Sequence, residues 1–301
     1  MNQAFIITLM QELHFPEPAV TELTRCLSVL EKQKQLETIE GAAAFFYEHD
    51  LDWKLTEPLL EELAKASQLP RYSLDMLFWL HCSETLREAY RQDGVSDRLF
   101  LDTMGDLYAK LMECHEVHGI WGTFVSFWYP IFFSRDLIKL GRLEYENYTY
   151  SGKIPYEKHG IRLEKGTPVK NIHIPSHFGP MTEEARMDSY RKAYDFFREE
   201  RNGGPLVCLC HSWLLHQSTA EILPSSSNTV SFRSDFDIIE NETYEKFEDA
   251  WRVFGADADR PLAELPETTS MQHAYKQYLL SGKKTGAGLG ILIFDGEKIL
   301  R

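Results

Sequence analysis

The chain has no uninterrupted apolar run of the roughly 18 residues that a bilayer-spanning helix requires. The nearest candidate, Gly119 to Phe133, carries Trp, Tyr and Pro and reads as core. Positive charge is also scarce, since 32 Lys and Arg against 46 Asp and Glu leave a formal charge of −14. That field repels phosphate backbones and anionic lipid, and the densest basic stretches, Arg186 to Lys192 and Lys283-Lys284, are too short to reverse it. No nucleic acid and no membrane are therefore expected as partners. The five cysteines, Cys26, Cys82, Cys114, Cys208 and Cys210, are odd in number and lack framework spacing, as free thiols in a reducing compartment do. The first residues, Met1 to Ile7, lack a basic segment and run into an amphipathic pattern with Glu12, so no secretory signal is read there and the cytoplasm is the expected location. Internal repeats and low-complexity segments are missing too.

What is present is enough apolar material, 43% of 301 residues, for a substantial core, and a length that suits two domains. Residues 1 to 135 read as successive helices. Leu9, Met10 and Leu13, then Val20, Leu23, Leu27 and Leu30, recur at helical spacing, with Pro16 and Pro18 between the two groups. Further helical patterns cover Glu40 to Tyr47, Pro58 to Ala66, Leu74 to Tyr90 and Arg98 to Cys114, with Thr56 and Ser96 as expected N-caps.

From about residue 136 the pattern changes. Leu143 to Tyr150 alternates like a strand, and Val169 to Ile174 is a second strand candidate. A break at Ser176 to Pro180 precedes a long helix from about Thr182 to Arg201. After the stop Asn202-Gly203-Gly204-Pro205, the continuous apolar run Leu206 to Cys210 reads as a strand covered on both faces, and a short helix follows from Leu214 to Leu223. Thr229 to Phe232 and Ile291 to Phe294 are read as two more strands, with helices near Tyr244 to Trp251 and Thr269 to Leu280. The expected fold class is thus α+β, an all-helical domain over 1–135 followed by a mixed α/β domain over 136–301.

Several stretches carry a family resemblance: Leu140-Gly141-Arg142-Leu143-Glu144-Tyr145, Ile172-His173-Ile174-Pro175, Cys210-His211-Ser212-Trp213-Leu214-Leu215 and Ser227-Asn228. In them the sequence resembles two-domain proteins that join a helical N-acyltransferase N-terminal domain to a GNAT-like C-terminal domain. The resemblance implies a C-terminal fold like that of the CoA-dependent N-acetyltransferases, acetyl-CoA or another acyl-CoA as co-substrate, and a small-molecule amine or peptide as acceptor. In that architecture a strand delivers the chain to a loop and a helix N-terminus whose unbonded N–H groups hold the CoA diphosphate. The next strand splays away to admit the pantetheine arm. The expected cofactor-binding residues are Ile174, Ser176, His177, Phe178, Gly179, Thr182 and Arg186. The usual glycine-rich fingerprint is absent here: only Gly179 is available, Pro180 removes a donor, and Glu183 and Glu184 add negative charge to the first helical turn.

Acyl transfer to an amine needs a base, donors for the thioester oxygen and an acid for the departing thiolate. His173, near the end of the first of these strands, is the candidate base, because a histidine titrates near neutral pH. His211 and Ser212, just past the second strand, are the candidate acids. A lone strand histidine is more often structural, which is the plain reading set against this one. Cys208 and Cys210 share a strand face, but the two further ligands a structural zinc requires are not near in sequence, so no metal is expected. Cys114, His115 and His118 lack the Glu-flanked zincin spacing and read as a packed helix end. Gly286-Ala287-Gly288-Leu289-Gly290 precedes a strand, whereas phosphate-cradling loops follow one, so it reads as a strand of close approach. The alternative to an acyltransferase is a catalytically inactive GNAT-like binding or regulatory module, suggested by Pro180, Glu183 and Glu184.

Overall fold

The structure is a computed structural model that describes all residues, 1–301. The chain divides into two compact units, Met1–Ile138 and Lys139–Arg301.

The first unit is helical: α1 (Gln3–Glu12), α2 (Glu17–Lys32), α3 (Leu36–Glu48), α4 (Trp53–Ser67), α5 (Arg71–Gln92), α6 (Asp97–Met104), α7 (Asp106–His118) and the single turn α8 (Pro130–Phe133). Helix α5 is its axis. Leu74 and Met76 to Leu80 are all buried, so this helix is apolar around most of its girth, and α1, α2, α3, α4, α6 and α7 pack against it. Two polar nodes fix those neighbours. Arg87 of α5 reaches Glu12 of α1 and Asp97 of α6, each within 2.7 Å. Trp79 donates its indole N–H to Ser126 (3.1 Å), whose hydroxyl donates to Asp75 (3.1 Å).

Two details differ from the sequence reading. Ser96 caps α6 as expected, accepting from the Leu99 N–H, but Thr56 is not a cap. Helix α4 begins earlier, because Asp52 accepts from the N–H groups of Lys54 and Leu55. The Thr56 hydroxyl instead donates back to the Asp52 carbonyl, and Pro58 lies inside the helix, where it leaves the Lys54 carbonyl without its usual donor. The single helix expected over Arg98 to Cys114 is two, hinged at Gly105.

The second unit is built on a six-stranded sheet. Its strands are β1 (Leu137–Leu140), β2 (Leu143–Thr149), β5 (Pro168–His173), β6 (Leu206–Ser212), β7 (Asp237–Thr243) and β8 (Gly286–Phe294), in the spatial order β1-β2-β5-β6-β8-β7. A small hairpin, β3 (Tyr156–Lys158) and β4 (Ile161–Leu163), stands apart from it. The helices are α9 (Glu183–Phe196), α10 (Gln217–Ile222), α11 (Asn228–Arg233), α12 (Ala250–Phe254) and α13 (Ser270–Leu280).

Every residue of β8 is buried, and its glycines are what allow this. A Cβ at Gly288 would lie 2.6 Å from the Leu215 carbonyl oxygen, so the close approach read from the sequence is to a neighbouring backbone. Thr229 to Phe232, read as a strand, is helix α11, because Ser227 accepts from the Val230 N–H and starts a turn that outweighs one β-branched residue pair. Strand β7 escaped the reading because it is an edge strand carrying Asp237, Glu240, Asn241 and Glu242, with no apolar alternation to mark it. Of the helix expected over Tyr244 to Trp251, only α12 forms, and it starts at Ala250.

Candidate active site

The site is set by a failure of pairing. Strands β2 and β5 pair antiparallel along the whole of β5, and β6 pairs with β8 from Leu206↔Phe294 to Ser212↔Gly288. Between β5 and β6, however, the parallel register holds only at Lys170↔Cys208 and Asn171↔Leu209. Beyond that pair the two strands run on, to His173 and to Ser212, without bonding each other. A sheet that is continuous on both flanks therefore opens as a fork at its centre.

At the end of β5 the chain leaves the sheet. The loop 174–182 turns through positive φ at His177 and Gly179 and enters α9, where Thr182 accepts from the Ala185 N–H (3.2 Å). The N–H groups of Phe178, Gly179, Met181, Thr182, Glu183 and Glu184 donate to no protein acceptor. A helix N-terminus preceded by unbonded amides carries about half a positive charge and suits an anion. The side chains of Ser176 and His177 bond each other (2.7 Å), and the Phe178 ring lies under the Lys139 ammonium, 3.7 Å away.

Arg186 requires a correction. Expected one helical turn on as a diphosphate contact, it is only 1% exposed. Its Nε donates to Asp235 (2.7 Å), Nη1 to the Met181 carbonyl (2.8 Å) and Nη2 to Ser231 (2.9 Å). With Asp235 also accepting from Tyr190 (3.0 Å), this guanidinium is a structural bolt between α9 and the segment that follows α11, and it has nothing left for a ligand. Glu183 and Glu184 are exposed in the first turn of α9.

The two faces of the fork differ. Toward α9 lie Tyr145, which bonds Ser189 (2.9 Å), Lys170 over the Phe197 ring (3.9 Å), and the buried Cys208 and Cys210. Burial pushes both thiols far up, so neither is a thiolate nucleophile at neutral pH. The opposite face carries Glu146, Asn171, His173 and His211. Register explains the grouping: Glu146 stands opposite Asn171 across β2 and β5, and His173 follows two residues later on the same face. The Glu146 carboxylate accepts from His173 Nε2 (2.6 Å) and from the Asn171 amide (2.9 Å). With Nε2–H donated to a carboxylate, the basic nitrogen of the ring is Nδ1.

A cavity of about 270 Å³ opens on this face at the base of the fork, lined among others by Asn171, Leu209, His211, Glu240, Glu242 and Leu289. Its lining holds two carboxylates and no lysine or arginine. Glu240 is held by the Lys153 backbone N–H (2.7 Å) and ammonium (3.3 Å).

Of the three candidate catalytic residues, His173 and His211 therefore share a face. Ser212 does not: one residue on, it turns toward α9, and its oxygen accepts from the Leu214 N–H to start the short 3-10 turn Trp213–Leu215. Glu146, Asn171, Glu240 and Glu242 were missed by sequence reasoning. Two carboxylates at alternate positions of one strand, Glu144 and Glu146, were the available signal for the first of them.

Comparison with known proteins agrees with this architecture. The sequence matches the N-acyltransferase N-terminal domain over residues 4–135 and the GNAT-like C-terminal domain over residues 137–292. No curated, characterised protein matches the chain. Among solved structures, an acyltransferase crystallised with CoA and 10C-teicoplanin superposes with a TM-score of 0.76 at 22% identity, covering 95% of this chain and 87% of its own. An acyltransferase mutant bound to octanoyl-CoA gives 0.75 at 22% identity, with the same coverage. A third, an acyltransferase bound to decanoyl-CoA, gives 0.71 at 22% identity, covering 94% and 86%. These likenesses establish the shared fold over both units, and the domain matches together span nearly the whole sequence. The chain thus belongs to the family that joins an N-acyltransferase N-terminal domain to a GNAT-like C-terminal domain.

Proposed function

We propose that the protein transfers an acyl group from an acyl-CoA thioester to the amine of a small molecule or peptide. The observation that carries this reading is the fork between β5 and β6, with unbonded amides on its α9 side and a carboxylate-held histidine on the other. The domain family and the acyl-CoA complexes of structurally similar acyltransferases support it. So does the glycopeptide bound by one of them, which makes a polar, amine-bearing acceptor reasonable here.

The thioester supplies an activated acyl carbon and a thiolate leaving group. In this reading the N–H groups of Phe178, Gly179 and Met181 to Glu184 hold the diphosphate and the arm passes between the strands. His173 removes the proton from the acceptor's ammonium, while Glu146 fixes the ring and stabilises the imidazolium that results. His211, exposed on the same face, returns a proton to the thiolate. The carboxylates of the cavity favour an ammonium over an anionic acceptor.

One observation favours the inactive-module reading: Glu183 and Glu184 oppose an anion at the terminus of α9, and Arg186 does not offset them. Calorimetric titration with acetyl-CoA and longer acyl-CoAs separates the two. Saturable binding is expected, strengthened about threefold or more by replacing both glutamates with glutamine, since each charge at helix-terminus distance is worth about 0.3–1 kcal/mol. No heat at millimolar ligand, in either form, would leave the binding-module reading standing.

A further inference from the structure

Resting on the acyl-CoA reading, we propose that Arg142 is the positioning residue of the diphosphate loop, doing by side chain what a glycine-rich sequence does elsewhere by backbone. The loop lacks that fingerprint, so something else must hold its amides ready. Arg142 spans it: Nη1 donates to the Pro175 carbonyl (2.7 Å) and Nε to the Gly179 carbonyl (3.1 Å), one contact near each end. The guanidinium is half-buried, and the carboxylate whose charge acts on it is that of Glu144 on β2.

Two physical consequences follow. A loop that must meet an anion through N–H groups has two of its carbonyl oxygens neutralised by a cation, and the segment between them is fixed before ligand arrives. Preorganisation of that kind raises affinity by removing an ordering cost from the binding step. The position of Arg142 is itself determined. It follows Gly141, which has φ of +72° in the turn from β1 to β2, and a Cβ at Gly141 would sit 3.1 Å from the Asp188 carboxylate and 3.3 Å from Ser189 Cα on α9. The turn is thereby seated against the same helix whose terminus the loop feeds. Lys139, on β1, holds Phe178 from the same side.

The test is calorimetry on the full-length chain with two ligands, acetyl-CoA and acetyl-pantetheine, the second lacking the diphosphate. Arg142→Ala is expected to weaken acetyl-CoA binding about tenfold or more and Arg142→Lys about threefold, because an ammonium reaches one carbonyl but not both. Acetyl-pantetheine should bind wild type and both variants alike. Equal acetyl-CoA affinity in wild type and variants overturns the inference while leaving the acyl-CoA reading intact. Loss of both ligands in parallel also overturns it, because Arg142 would then support the fork as a whole. Absence of acetyl-CoA binding by wild type removes the acyl-CoA reading itself. Should Arg142→Ala fail to fold, the threefold loss in Arg142→Lys, confined to acetyl-CoA, carries the result.

Discussion

Replacing His173 with glutamine should lower kcat by about 10²–10⁴-fold, the usual contribution of a positioned base, while acyl-CoA affinity stays within about twofold. The two effects separate because His173 stands on the face of the sheet away from α9, whereas the unbonded N–H groups lie at the α9 terminus. Glu146→Gln should cost less, about tenfold, since it removes the charge that stabilises the imidazolium but keeps an acceptor for Nε2–H. Steady-state assays against a panel of amines, with thiol release as the signal, measure both losses. Turnover unchanged in His173→Gln would assign proton removal to another group, His211 being the next on that face.

Arg186→Met should destabilise the second unit by about 3–5 kcal/mol, the cost of leaving the buried Asp235 carboxylate with only the exposed Arg301 guanidinium, 3.6 Å away, in place of its close buried partner. The pair is 2.7 Å apart with side chains 1% and 5% exposed, so solvent cannot take over the role of the missing partner. Adding Asp235→Leu should recover most of the loss, because a buried ion pair replaced by apolar groups of similar volume is often close to neutral. Urea denaturation of the single and double variants gives the comparison, with acetyl-CoA affinity of the folded fraction as the second readout. A loss of stability below about 1 kcal/mol accompanied by a large loss of affinity would return Arg186 to the ligand.

That residue also shows where sequence reading stops. Helical spacing placed Arg186 one turn into α9, near enough to meet a ligand at the terminus. It does not reveal what stands opposite, and Asp235 is 49 residues away in the chain. The strand–loop–helix–strand series was legible, because its parts have their own signals: the apolar run Leu206 to Cys210, the break at Ser176 to Pro180, and Thr182 ahead of two glutamates; the parting of the two strands was only what the family resemblance implied. Glu146 was not legible as the partner of His173, since the pairing depends on the register of β2 against β5, which neither strand's pattern specifies alone. Nor was Arg142, whose contacts are to backbone carbonyls 33 and 37 residues on. The misread segments have local causes. Thr56 sits four residues past a stronger cap, Thr229 to Phe232 follows a serine cap, and β7 is an acidic edge strand.

Residue-resolved hydrogen exchange with and without saturating acyl-CoA tests the central claim most directly, since the N–H groups of Phe178, Gly179 and Met181 to Glu184 donate to no protein acceptor and have every reason to exchange fast. Marked slowing of those amides and of the unpaired ends of β5 and β6, with β8 unchanged, is the expected result. Binding that protects some other part of the chain, and leaves these amides exchanging as before, would contradict it.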